Sequence, residues 1–569
     1  MTEPWWERWP DRLLFELEAL QKAGIRYQVR SQDPQSGILE LELECDVNGE
    51  RLKLQARFPP VYPYTRFEVF APSLDLPRHQ NPFVKNLCLI GRATWNWDVD
   101  DTLAAFLLDR LPKVLQAARA NDPADAAALE EHQAEPLSAY YPYAPNAIVL
   151  VDSAWTIDPA VSQGELVLGV KSFNKSLINA AVLSIRDGAG RRLAEADPAI
   201  DRVYGRTTIS ARWVRALEPI RKYQAREFLR ILCGLQSSLE RPRRNGSLGA
   251  DIVGVVFSEE TGWRKRGDSW VFLIRVPVER PGFRRGQYWE AHFVRAGRAG
   301  RADMGARIPE LSALSGRTIA VVGLGCLGAP SAIELAQAGI GELRLMDDDI
   351  VEPATVVRWP LGLTAAGRAK TDVLAAFIND NYPFTRVVGS KCRLGGVPGL
   401  GGARLDELRQ FLYGVDLIYD ATAEVGIHYL LTEVAREQRI PYIAVSATPG
   451  GWGGRVVRFR PGVTRGCWVC LERFIEEGRI PIAPGMQNGS LQPPGCADPT
   501  FAGASFDIGE LPLAGVRLAV ATLSRLGHES YPDFDWDLAI LALRDENGRP
   551  TMPLWRTYAV ERHPGCENH

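Results

Sequence analysis

A multidomain chain, part α+β and part α/β, is predicted from three textures that follow one another along the sequence. Near the start, an amphipathic helical stretch leads into four short runs of alternating apolar and polar residues, the pattern of a half-exposed antiparallel meander. The middle is dominated by strand-like runs. From Thr318 onward strands and helices alternate, which implies a parallel, doubly wound sheet. The expected domains are an α+β unit over 1–120, a linker with a β-rich connecting domain over 121–305, and a doubly wound domain over 306–569.

In the first region the periodicity predicts a helix over 5–21, strands over 27–29, 38–45, 52–58 and 67–70, then a Pro- and aromatic-rich loop and a helix over 102–119. Residues 120–146 turn to Ala, Asp, Glu and Gln and then to Tyr140-Tyr141-Pro142-Tyr143-Ala144-Pro145, the texture of a linker. In the middle region, strands are expected over 148–151, 165–170 and 270–276, with one long helix over 212–239 and no chemical motif.

The composition narrows the function classes. A length of 569 residues allows two or three domains, each with its own core. With 66 basic and 69 acidic residues the net charge is −3, so nothing calls for nucleic acid or an anionic membrane as partner. No run is apolar and long enough to span a bilayer, and the Trp-rich, charged start lacks a signal-peptide pattern, so a cytoplasmic protein is expected. Nine cysteines are too sparse and uneven for a disulfide scaffold, and Cys45, Cys233 and Cys392 read as small buried hydrophobes.

The densest chemistry begins at Thr318–Val322, an apolar strand running into Gly323-Leu324-Gly325-Cys326-Leu327-Gly328 and then a helical pattern over 329–338. Glycines at these spacings allow a tight turn and close approach of the backbone to a phosphate at a helix N-terminus. The next strand, Glu342–Met346, ends in Asp347-Asp348-Asp349, where a carboxylate would accept ribose hydroxyls. A dinucleotide oxidoreductase and an ATP user both fit so far. Asp347, Asp349 and Val351, then Arg358, Gly367 and Lys370, then Asp420-Ala421-Thr422 after an apolar strand, resemble the Rossmann-like adenylation domain shared by ThiF, MoeB and the ubiquitin-activating enzymes. The resemblance implies ATP and Mg²⁺, with Gly323, Gly325, Gly328, Asp347, Asp349 and Asp420 binding the nucleotide and its metal. Arg358 and Lys370 would be the fixed cations that carboxylate attack on an α-phosphate needs. Where the family has an Asp-Asn pair, this chain reads Ala423-Glu424, which leaves the metal ligand open between Asp420 and Glu424.

Cys467-Trp468-Val469-Cys470 and Cys566-Glu567-Asn568-His569 offer three thiols and an imidazole, a ligand set suited to tetrahedral zinc; a redox dithiol, or two unrelated pairs that never meet, are the other readings. Between them, Cys496 lies in a Gly/Pro-rich stretch before the helix expected at 514–526. Resemblance to ThiF-like and activating enzymes implies that Cys496 is the thiol that captures the acyl group.

Near the start, Phe58-Pro59-Pro60, Arg78-His79-Gln80-Asn81-Pro82, Asn86-Leu87-Cys88 and Trp95-Asn96-Trp97 resemble a ubiquitin-conjugating domain. The resemblance makes Cys88 the thioester carrier, Asn81 the support for the oxyanion, and His79 an organiser of the loop; Gln80 stands where the family has proline.

The order of the three regions resembles the bacterial fusion of CBASS antiphage operons, a ubiquitin-conjugating-like domain joined to a ThiF/ubiquitin-activating-like domain. That family implies a multifunctional transferase that adenylates a protein C-terminus, carries it as a thioester from Cys496 to Cys88, and joins it to a target amine on another protein or a small molecule. The activated protein would be a cGAS/DncV-like nucleotidyltransferase or, in related operons, a ubiquitin-like protein, and the enzyme a homodimer. A sulfur-carrier adenylyltransferase with an inactive N-terminal domain and an NAD-dependent oxidoreductase are the rivals from other classes.

Overall fold

The computed structural model describes residues 3–89, 96–120, 122, 124, 133–174, 177–244, 249–278, 288–398, 402, 404–491, 500–524, 531–545 and 547–567. They form two compact units, the first made of 1–151, 155–196 and 204–298, the second of 152–154, 197–203 and 299–569. No helix of the described residues is long and apolar enough to cross a membrane.

The first unit holds two sheets. One is the meander, strands Arg26–Asp33, Ile38–Val47, Glu50–Phe58 and Glu68–Phe70, paired in sequence order. Leu39, Leu41, Leu43, Leu52, Leu54 and Phe58 are buried, as the alternation predicts, against Leu20 and Leu103, Leu107 and Leu111. The expected N-terminal helix is divided into Trp5–Arg8 and Pro10–Lys22, because Pro10 has no N–H to continue the first ladder. Glu16 is buried and joins three parts of this layer. Its carboxylate pairs with Arg12 at 2.6 Å, accepts the Tyr62 hydroxyl, and accepts Leu103 N–H at 3.0 Å at the start of helix Leu103–Arg119. Thr102 caps that helix, its Oγ1 accepting Ala105 N–H at 3.2 Å.

The second sheet closes on itself. Its order runs Tyr143–Val151, Tyr288–Arg298, Lys265–Val278, Asp251–Gly262, Thr208–Arg215, Gln163–Asn174, Leu177–Asp187 and Arg192–Glu195, and Tyr143–Val151 also pairs with Leu177–Asp187. Both faces are apolar. Ile252, Val256, Trp270 and Phe272 belong to one core, whereas Val253, Val255, Val271 and Leu273 pack with Phe228 and Leu232 of helix Ala225–Leu235. The single helix expected over 212–239 is therefore a strand, a loop and a shorter helix. Arg212 and Arg215 are strand residues held by Asp251 at 3.0 Å and Asp268 at 2.7 Å.

The second unit is built on a sheet ordered Arg386–Ser390, Glu342–Met346, Thr318–Val322, Leu417–Asp420, Tyr442–Ala447, Gly453–Phe459, Leu538–Arg544 and Pro550–Tyr558. The first five strands are parallel. Ile319 and Val321 face the helices Gly328–Gln337 and Glu510–Leu523; Ala320 and Val322 face Val425–Gln438 and Trp468–Glu476. Burial on both sides explains the unbroken apolar run Ile319–Val322 and bears out the doubly wound fold. The strand order reverses beside Thr318–Val322, which places a crevice at its carboxyl end.

Candidate functional site

In the second unit, that crevice is a cavity of about 250 Å³ lined by Gly323, Gly325, Asp347, Lys370, Arg393 and Glu424, with Asp348, Asp349, Cys392 and Thr422 around them. The glycine turn is demanded by sterics at two positions. Gly323 has φ +82°, and a Cβ there would stand 2.8 Å from the backbone of Ala421 and Thr422, where the neighbouring strand's loop crosses. At Gly328 a Cβ would meet Gly323 O at 1.8 Å, so the helix starts directly on the turn. A Cβ on Gly325 would meet nothing within 4 Å, so here the absent side chain leaves room on the cavity side.

Asp347 closes the turn from the next strand: its carboxylate accepts Leu324 N–H at 2.6 Å and Asp349 N–H at 2.8 Å. Trp359 donates to Leu324 O at 2.9 Å from the other side. Burial pushes the Asp347 carboxyl above its ordinary value, opposed by the Lys370 ammonium and the two N–H groups. Lys370, first residue of helix Lys370–Asn381, reaches Asp349 at 2.7 Å and Asp347 at 3.8 Å. Of the residues expected at the site, Gly323, Gly325, Asp347, Asp349 and Lys370 line this one cavity, and Gly328 packs against the turn at Gly323.

Two expected members lie elsewhere. Arg358 does not line this cavity; its guanidinium donates to Thr500 Oγ1 and acts on the Cys326 thiol. Asp420 is fully buried. Its carboxylate accepts Thr422 N–H at 3.0 Å, Thr422 Oγ1 at 2.7 Å and the Tyr442 hydroxyl at 2.7 Å, and meets His428 Nδ1 at 2.9 Å. With both oxygens engaged inside the protein it shapes the Thr422 loop, leaving Glu424 as the carboxylate of this stretch that faces the cavity. Arg393 and Cys392 were missed. They follow strand Arg386–Ser390, whose carboxyl end joins the same sheet edge, and that position was the available signal.

Three thiols meet behind this layer. Cys467 Sγ lies 3.8 Å from Cys470 Sγ and 3.6 Å from Cys566 Sγ, with all three sulfurs within 4.8 Å of one another. Those separations exceed the ~2 Å of a disulfide and match the edge of a tetrahedron with metal–sulfur bonds of about 2.3 Å, as zinc has. His563 N–H donates to Cys470 Sγ at 3.2 Å. Burial opposes a thiolate at Cys470, yet this N–H, that of Cys467 and the neighbouring thiols outweigh it and hold the thiol below its ordinary value. Cys496 and His569 lie outside the described residues.

In the first unit, Cys88 is exposed and its N–H donates to His79 O at 2.8 Å. The loop before it is tightly organised. Gln80 is buried and, in proline's place, staples the backbone by accepting Leu76 N–H at 2.8 Å and donating to Ala71 O at 3.0 Å. Asn81 Oδ1 accepts Phe83 N–H at 2.9 Å and Val84 N–H at 3.1 Å, a turn that fixes the amide plane and leaves its NH₂ as the donor end. His79 sits at φ +59° with its ring 3.1 Å from Glu135 Oε1. Burial would raise the Glu135 carboxyl, but the His79 contacts prevail and hold it below its ordinary value. The Tyr140 phenol is pushed up by burial and then by Glu135 and Cys88.

Family models match the two halves separately: the prokaryotic E2 family B over residues 18–150 and the ThiF family over 302–493. The Sulfur carrier protein ThiS adenylyltransferase of Escherichia coli is 29% identical over 154 residues, 27% of this chain and 57% of that protein. Two uncharacterized proteins of Sinorhizobium fredii match end to end. Protein y4qC is 34% identical over 98% of this chain and 96% of its own length, and y4oA is 32% identical over 99% and 97%. With an E2-like region, a closed β sheet and a ThiF region in this order, the chain belongs to the family of y4oA and y4qC.

Proposed function

We propose that this protein is an ATP-dependent ubiquitin-like transferase that activates the C-terminal carboxylate of a protein and delivers it, through thioesters on Cys496 and then Cys88, to an amine. The observation that carries the reading is the pairing on one chain of a glycine-turn cavity with Asp347 and Lys370 in the ThiF-matched region and an exposed Cys88 beside a pinned Asn81 in the E2-matched region.

The chemistry follows from these groups. In the cavity, Asp347 accepts the ribose hydroxyls, and Lys370 with Arg393 offsets the phosphate charge as the carboxylate attacks the α-phosphate and pyrophosphate leaves. Glu424 and Asp348 are the residues that would hold Mg²⁺, which supplies further charge neutralisation. Arg358, bonded to Thr500 four residues beyond Cys496, serves the thiol-capture step in this reading, in which the Cys496 thiolate displaces AMP. Exchange to Cys88 follows, and attack by an amine then leaves an amide, with the Asn81 NH₂ donating to the oxyanion. Tethering both thiols to one chain raises the effective concentration of the exchange.

The ThiS adenylyltransferase relative is named for a sulfur carrier protein, which supports a protein carboxylate as substrate. The finer reading is a cGAS/DncV-like nucleotidyltransferase conjugated in antiphage defence, in the cytoplasm, by a homodimer; a ubiquitin-like protein is the second substrate considered. Intact mass spectrometry after adding ATP with each candidate protein tests it. An acyl mass on wild type, and none on Cys496→Ala despite normal ATP–pyrophosphate exchange, is expected. A Cys496→Ala chain that still charges Cys88 from ATP refutes the relay.

Zinc bound by Cys467, Cys470, Cys566 and His569 would tie the chain's last residues to helix Trp468–Glu476. Elemental analysis is expected to return about one zinc per chain. Cys470→Ser should lose it and lower the melting temperature of the second unit by several degrees, since a structural metal contributes folding free energy. Metal-free protein with an unchanged melting temperature contradicts the assignment.

A further inference from the structure

The loop that carries Cys88 is held from outside the meander, by the segment that follows helix Leu103–Arg119. Glu135 belongs to the segment between helix Leu103–Arg119 and strand Tyr143–Val151, and its side chain is only 6% exposed. One carboxylate oxygen accepts His79 N–H at 2.6 Å; the other lies 3.1 Å from His79 Nδ1. His79 in turn offers its carbonyl to Cys88 N–H at 2.8 Å. The residue that links Glu135 to Cys88 is in the left-handed conformation at φ +59°, one that a residue with a side chain rarely adopts and keeps only when its surroundings hold it. Glu135 is itself anchored to the closed sheet. Its N–H donates to Glu260 Oε2 at 3.1 Å, and Glu260 receives both of its contacts with Arg78 Nη1, at 2.5 and 2.6 Å, from the residue next to His79.

We propose that Glu135 is a positioning residue for acyl transfer from Cys88: through the backbone of His79 it sets the loop that carries the thiol, so that the closed sheet acts on the reaction as more than a spacer. This rests on Cys88 being a thioester carrier. Two hydrogen bonds in series connect carboxylate to thiol loop, and both run through one residue's peptide groups, so loss of the first frees His79 to leave the left-handed region and withdraws the acceptor from Cys88 N–H. The effect falls on the step that requires a fixed geometry of acyl carbon and incoming amine, and little on loading an exposed thiol.

The test uses the full chain and bypasses adenylation. A glycine-terminated peptide thioester of 2-mercaptoethanesulfonate loads Cys88 by thiol exchange, releasing mercaptoethanesulfonate. Free lysine then attacks the Cys88 thioester, forming an amide and returning the thiolate, with the amine proton passing to water. Cys88→Ala identifies acyl groups on other thiols. Glu135→Met keeps the length of the side chain and loses the acceptor, and should load within twofold of wild type but discharge to lysine about tenfold more slowly. Glu135→Gln retains an amide oxygen for His79 N–H and should discharge within about threefold of wild type. Hydrogen exchange of the Cys88 amide should accelerate in Glu135→Met and not in Glu135→Gln. Unchanged discharge in Glu135→Met, or equal losses in the Met and Gln variants, overturns the proposal. A wild-type chain that never holds an acyl group on Cys88 overturns the carrier reading instead. In that case the amide-exchange arm still decides whether Glu135 positions the loop, and equal protection in all three chains rejects it.

Discussion

Cys88→Ala is expected to reduce transfer to an amine to background, a loss of more than about 10³-fold, while leaving ATP–pyrophosphate exchange within twofold of wild type. Cys88 is the exposed thiol of the E2-matched region, and Cys45 in the same region is buried, its thiol pushed up by burial and by Asp46. No described side chain in the loop replaces a sulfur nucleophile: His79 is committed to Glu135, Gln80 is stapled to Leu76 and Ala71, and Asn81 caps its own turn. The acyl group should therefore stop on Cys496 in the variant, visible as a reductant-sensitive mass. Product formation at the wild-type rate would mean that the amine attacks an earlier intermediate and that the E2-matched region only binds.

Lys370→Ala is expected to lower ATP–pyrophosphate exchange by about 10²–10³-fold, the usual effect of removing one charge-stabilising group from a transition state. The side chain is 12% exposed and lies between Asp347 and Asp349. In the proposed reading its removal takes a cation from the phosphates, and it also leaves the Asp347 carboxylate, which burial already pushes toward its neutral form, without the opposing ammonium. Lys370→Arg should recover little, since a planar guanidinium does not fit where a compact ammonium bridges two carboxylates. Measuring exchange against ATP concentration separates lost binding from lost turnover. An alanine variant with wild-type exchange would move the phosphate site away from this cavity.

Of the two side chains only Lys370 lines the cavity proposed for exchange, so the two effects on exchange should be additive. Cys88→Ala on the Lys370→Ala background should change exchange no further.

What could be read from the residues alone was whatever is encoded over a few neighbours. The apolar run Ile319–Val322, buried on both faces, could only be an interior strand, and Gly323 and Gly328 are glycines because an ordinary side chain would strike Ala421 or Gly323 O. Local order also put Asp347 at the end of the next strand and Lys370 at the start of a helix, and it placed Asn81 and Cys88 on one loop. Where a side chain's partner is distant in sequence, only the tertiary structure decides. Asp420 had the right neighbours for a metal ligand, yet Tyr442 and His428 take one of its oxygens and Thr422 the other. Arg212 and Arg215 lie in a strand where a helix was expected, and their counter-charges, Asp251 and Asp268, arrive from other strands of the closed sheet. Arg393 enters the cavity, and Glu135 reaches His79, by strand order and segment packing. Steric and periodic constraints act within a turn or two of chain and leave their mark on sequence. Electrostatic partnership depends on distance in space, which the fold alone determines.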